Sequence, residues 1–170
     1  MKQPEQEEKT DSVIQTALKR FDLAAEAENP LRIAALDDLK FRCGEQWPSN
    51  YTTQRDLDGR PCLTMNRIPA FLRQVTNEER QQRPAIQVNP VGDGADIETA
   101  EIFEGLIRNV EVNSKAAIAY DHGCEMMVTI GFGYWRTITE YHEGSFDQVI
   151  KIKRIKNPFT VYFQPGCVEP

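Results

Sequence analysis

Long apolar runs are missing from this chain. The uncharged stretch at residues 126–135 has ten residues, well short of the ~18–20 that span a bilayer, so no membrane partner is expected. No basic-then-apolar leader opens the sequence, because residues 1–11 are polar and mainly acidic. Cysteine is sparse and scattered. Cys43, Cys62, Cys124 and Cys167 show no C-x-x-C spacing, which favours free thiols in a reducing compartment over a disulfide or a metal site. Histidine is rarer still. His122 follows Asp121 in a helical pattern and His142 precedes Glu143 in a turn, and neither has a second histidine three or four residues away; the usual zinc spacing is therefore absent. Neither G-x-S-x-G nor a local cysteine-nucleophile motif occurs. No enzymatic activity, cofactor or metal is expected, and a hydrolase whose partners meet only in space stays open as a rival. Positive charge is in deficit. With 20 Lys and Arg against 26 Asp and Glu, the net charge is −6, which disfavours a dedicated nucleic-acid binder, since such affinity comes mostly from cations on phosphates.

What the chain does have is enough for one domain: 170 residues, of which 40% are hydrophobic and 27% charged. The strongest local pattern is a hairpin. Residues 134–141 alternate Trp135, Thr137, Thr139 and Tyr141 on one face with Tyr134, Arg136, Ile138 and Glu140 on the other. Residues 146–153 return, with Ile150 and Ile152 opposite in facing to Lys151 and Lys153, and Gly144 lies in the loop between. Short strands are also expected at residues 61–65, 86–88 and 159–163.

Helical spacing fills much of the rest. Val13, Ile14, Ala17, Leu18, Phe21 and Ala25 recur every three to four residues. Asn29-Pro30 then either starts a second helix through Phe41 or lies inside one long helix, where proline costs about 3 kcal/mol. Further helices are expected from about Asn66 to Arg83, from the cap Asp96 onward, and from a cap at Ser114 to about Ile130. Residues 43–60 show no steady period and read as a loop anchored by Trp47, and Trp135 is expected to be buried with it. Composition makes residues 1–10 an unstructured lead-in and residues 11–170 the folded part. The fold class is α+β, several amphipathic helices packed on a small antiparallel sheet.

Few stretches carry chemistry. Gly92-Asp93-Gly94 lacks the third glycine and the lysine of a phosphate loop, and Asp93 and Asp96 would repel an anion there. Asp56-Leu57-Asp58-Gly59 lacks the later ligands of a calcium loop. Lys151, Lys153, Arg154 and Lys156 form a cation group that could face nucleic acid or an acidic partner; a solvated strand face balanced by Glu140 and Glu143 is the simpler reading. Arg73, Arg80 and Arg83, set among amides, fit a subunit contact, because arginine is favoured at interfaces.

A series of short stretches adds to this. They are Gly44-Glu45-Gln46-Trp47-Pro48, Arg60-Pro61-Cys62-Leu63-Thr64-Met65-Asn66-Arg67, Gln74-Val75-Thr76-Asn77, Arg80-Gln81-Gln82-Arg83-Pro84, Ile102-Phe103-Glu104-Gly105-Leu106-Ile107-Arg108, Gly131-Phe132-Gly133-Tyr134-Trp135-Arg136 and Asn157-Pro158-Phe159-Thr160-Val161-Tyr162. In order and spacing, over residues 36–164, they resemble the N-terminal region of the portal protein of short-tailed bacteriophages. The resemblance implies a homo-oligomeric ring, typically dodecameric, at one capsid vertex. Such a ring is the channel for double-stranded DNA in packaging and ejection. It also docks terminase, tail and scaffolding proteins. Residence in the virion, and in the host cytoplasm during assembly, follows. Portals hydrolyse nothing, and no catalytic residue carries over. The matched region is the outer, wing-like one, incomplete here. The tunnel helices and terminase-facing clip are expected downstream, so the chain reads as a portal subunit truncated at its C-terminus. A nucleic-acid-binding adaptor centred on residues 151–156 is the alternative.

Overall fold

The structure is a computed structural model that describes residues 4–83, 85–92, 94, 96–142 and 144–167, with side chains from Ser12 onward. Its element order is α1 (Pro4–Cys43), α2 (Ser49–Leu57), α3 (Ile68–Gln81), α4 (Ile97–Ser114), α5 (Ala116–Ile130), β1 (Trp135–Tyr141) and β2 (Gln148–Arg154), then a 3-10 turn at Pro158–Thr160. This is the expected α+β class.

The hairpin forms where the alternation puts it. β1 and β2 pair antiparallel from Trp135 opposite Arg154 to Tyr141 opposite Gln148. The register keeps Arg136, Ile138 and Glu140 on one face with Lys153, Lys151 and Val149. The chain enters it from α5 through Gly131, whose φ of +87° closes the helix while its N–H bonds the Met127 carbonyl at 2.9 Å. Two residues on, the backbone presses so close to α5 that a β-carbon at Gly133 would overlap the Gly123 carbonyl, and one at Gly123 would lie 2.8 Å from the Trp135 ring. Only glycine permits this approach.

α5 is the hub. It touches α1, α3, α4 and both strands. Among the described residues the buried apolar side chains are Ala24 and Ala35 of α1, Ala100 of α4, and Ala116, Ala119 and Ile130 of α5. Five of the six are alanines, so the helices meet closely over small side chains, and the large apolar ones stay at the surface. α4 and α5 join at Lys115, which adopts the left-handed conformation at φ +51° and bonds the Glu111 and Val112 carbonyls.

Several expectations are corrected. Of the two readings left open at Asn29-Pro30 the second holds: α1 is a single 40-residue helix through Pro30, about 60 Å long at 1.5 Å per residue. Asn29 and Pro30 lie exposed, so the carbonyl freed by the missing proline N–H can be solvated. Helical backbone reaches back to Pro4, into the stretch expected as a lead-in. Residues 49–57 are α2 rather than loop, a helix with no buried residue and hence no apolar period to read. Residues 61–65 and 86–88 form neither helix nor strand and pair with no described strand. Residues 158–160 turn as a 3-10 helix instead of starting a third strand. Asp96 caps α4 as expected, accepting from the Thr99 N–H at 3.3 Å. Ser114 does not cap α5, and its hydroxyl is buried without a partner. Trp47 and Trp135 are 36% and 49% exposed. Trp47 donates to the Leu63 carbonyl at 3.3 Å, with Arg55 on its face; Trp135 lies on Gly123 and edge-on to Tyr120. Each ring has one side covered.

Candidate functional site

The hairpin divides its cations. Lys151 and Lys153 both reach Glu140 on the shared face, Lys151 Nζ at 3.6 Å from Oε2 and Lys153 Nζ in contact with Oε1. The hydrogen bond from Lys153, then the charges of both lysines, hold the Glu140 carboxyl below the usual range. Arg154 lies across from Trp135 on the other face. The side chains of Arg154 and Lys156 make no ion pair or hydrogen bond with any described residue. The four cations therefore do not form one patch. Two are balanced by Glu140, as the simpler reading expected; Glu143, its second member, lies outside the described residues.

The arginines of α3 and Arg83 just beyond its end are used within the chain. Arg80 Nε lies 3.1 Å from Asp121 Oδ2, and Arg83 Nη2 pairs with Oδ1 of the same carboxylate. Arg73 Nε donates to the Pro69 carbonyl of its own helix at 3.1 Å. Beside this cluster the Cys124 thiol is raised, by burial first and then by Glu79 and Asp121. Arg80 and Arg83 tie α3 and the residues just after it to α5 in an internal ion-pair cluster, with the Arg80 side chain still 49% exposed.

A third cluster had no sequence signal beyond a helical Glu–Arg pair four apart. Arg32 donates to Glu28, whose nearest oxygen is 2.8 Å away, and forks onto the backbone carbonyls of Phe159, at 2.6 Å, and Val161. Glu28 in turn accepts the Phe163 N–H at 2.7 Å. Tyr162 stacks on the guanidinium at 3.7 Å and meets Phe21 edge-on. Residues 159–163 thus satisfy their backbone on two side chains of α1 rather than on a sheet edge. Phe132, Tyr134, Phe159 and Phe163 pack into an aromatic cluster beside them. Burial, and then the Glu28 charge, raise the Tyr134 hydroxyl.

Among the described residues no group of three or more His, Cys, Asp or Glu could hold a metal ion, and no helix is long and apolar enough to cross a membrane. A cleft of about 530 Å³ opens between α4 and β2, where His142 meets Asn109, Asn113 and Lys151 over Val110 and Ile150. Its described lining has no carboxylate, hydroxyl or thiol. The described lining therefore does not supply the nucleophile and carboxylate that a hydrolase reading of His142 needs.

The chain presents a large accessible surface. Its accessible area is 14,008 Å², against about 8,500 Å² for a compact monomer of 19.4 kDa. Every residue from 12 to 23 is exposed, and so are Ile102, Phe103 and Leu106 on α4. Apolar surface of this extent marks contacts with other macromolecules. Compared with known families, the chain matches the model of the phage P22-like portal proteins over residues 18–170.

Proposed function

Because the chain belongs to the phage P22-like portal protein family, we propose that it is the wing-like portion of a subunit in a dodecameric ring. In that reading the ring passes double-stranded DNA into and out of the capsid, and terminase, scaffolding and tail proteins dock on it. The coarser role is that of the family itself: a structural, non-enzymatic component of the bacteriophage capsid vertex used in DNA packaging. The virion is where such a protein resides, and we place its assembly in the host cytoplasm.

The observation that carries the proposal is the family match over residues 18–170. The large accessible surface, with Val13, Ile14, Leu18, Ile102, Phe103 and Leu106 exposed on it, supports it, because a ring subunit must keep two different faces available for its two neighbours. The internal ion pairs fit the same role: Arg80, Arg83 and Glu140 hold the helices and hairpin in shape and are not aimed at a substrate. A nucleic-acid adaptor gains less support, since Glu140 offsets two of the four hairpin cations and the net charge is −6.

The test is genetic. A phage deprived of this gene should assemble heads that hold no DNA, and supplying the chain's gene in trans should restore filled, infectious particles. DNA-filled heads at normal yield without it would overturn the proposal.

A further inference from the structure

We propose that the first half of α1 is an arm that docks on the next copy of this chain, in the groove between its α4 and β2; this inference rests on the ring reading above. Residues 12–23 are all exposed, yet Val13, Ile14, Ala17, Leu18 and Phe21 form a stripe two residues wide on one side of the helix. The first buried residue of α1 is Ala24. A dozen residues of helix, about 18 Å, thus carry an apolar face whose Val13, Ile14, Leu18 and Phe21 are each about half exposed or more, with Phe21 edge-on to Tyr162. Such a helix gains its stability from a groove that covers the stripe.

Ring symmetry restricts the partner surface. An arm-to-arm contact is isologous and closes on two copies, so a cyclic ring needs the arm to meet a different face of its neighbour. α4 supplies that face. Ile102, Phe103 and Leu106 are each more than half exposed, and one turn beyond Leu106 the helix borders the α4–β2 cleft at Asn109, Val110 and Asn113. Charge agrees. On a 3.6-residue period Arg20 borders the arm's stripe and Glu98 borders that of α4, and neither has an ion-pair partner among the described residues, so one pair of opposite charges can meet beside the two stripes.

Two surface variants test the pairing in the purified chain. Leu18→Glu disables the arm and Leu106→Glu disables the groove; both leucines are more than half exposed, so each variant should keep the wild-type circular dichroism. Sedimentation equilibrium should show wild type associating with rising concentration, and each variant alone weakened by about 30-fold or more. Mixed one to one, the variants should form a dimer and nothing larger, because the intact arm of one finds the intact groove of the other and both open ends are then blocked. Three results would overturn the proposal: a variant that associates like wild type, a mixture that stays monomeric, or a wild type that stays monomeric at every concentration. None of the three bears on whether the phage needs the gene to fill its heads, and DNA-filled heads without the gene would sink the ring reading while leaving the arm contact standing.

Discussion

Two helical regions of this molecule are made of similar residues and live in opposite surroundings. α5 and the turn into β1 have backbones in contact, with Ala116, Ala119, Gly123 and Ile130 buried and Gly133 against Gly123. The first half of α1 also carries an apolar stripe, and no residue from 12 to 23 is buried. Periodicity alone therefore does not say which helix has a core. Small residues do, because they let a second backbone come near enough to exclude water, and α5 has them on its packed face. A glycine inside α5 costs about 1 kcal/mol of helix propensity, and the close approach of Trp135 offsets it.

The largest effect that would break this contrast lies at Gly133. Gly133→Ala must push the two backbones apart and should cost about 3 kcal/mol or more in urea unfolding. Gly105→Ala is its counterpart on the exposed side of α4, where a β-carbon meets nothing within 4 Å, and it should stabilise by about 0.5–1 kcal/mol. Next comes truncation of apolar side chains. Ile130→Ala should lose about 2–4 kcal/mol, whereas Leu18→Ala in the dilute, unassociated chain should lose under about 0.5 kcal/mol. Equal losses would mean that the arm has a core after all.

Arg32 joins the two regions, since it sits on α1 just past the arm and holds the segment that follows the hairpin. Arg32→Ala should cost about 2 kcal/mol and speed hydrogen exchange at the Phe163 amide. Lysine should not rescue it, because the contact is a fork onto two carbonyls.

The smallest effect concerns Glu140. Its folded carboxyl titrates below the usual range because Lys153 and Lys151 favour the charged form. The contribution is present above the unfolded-state pKa and fades as pH falls through the lower folded value. Glu140→Gln should therefore be slightly less stable than wild type at neutral pH. The gap in melting temperature should close as the solution becomes strongly acidic.

The elements legible in the sequence were those whose determinants are local. The hairpin is written in strict alternation, α3 and α4 in their stripes, and the α4 start in Asp96. α2 was not legible, because a helix that buries nothing has no period. Residues 159–163 have a strand composition, but their hydrogen-bond partners are Glu28 and Arg32, well over a hundred residues upstream. Arg80 and Arg83 read as interface residues because Asp121, their partner, is visible only after α3 and α5 are packed. Both tryptophans were expected inside; each has one covered side, and local pattern does not reveal how much of a ring its own fold will cover.

Hydrogen–deuterium exchange read along α1 at two protein concentrations tests the central claim most directly. In the dilute chain, amides at residues 12–23 should exchange orders of magnitude faster than those of α5, and they should slow selectively as the chain associates. Protection of the arm comparable to α5 in the dilute monomer, or no change in its exchange on association, would contradict an account in which this helix is left open for a neighbouring subunit.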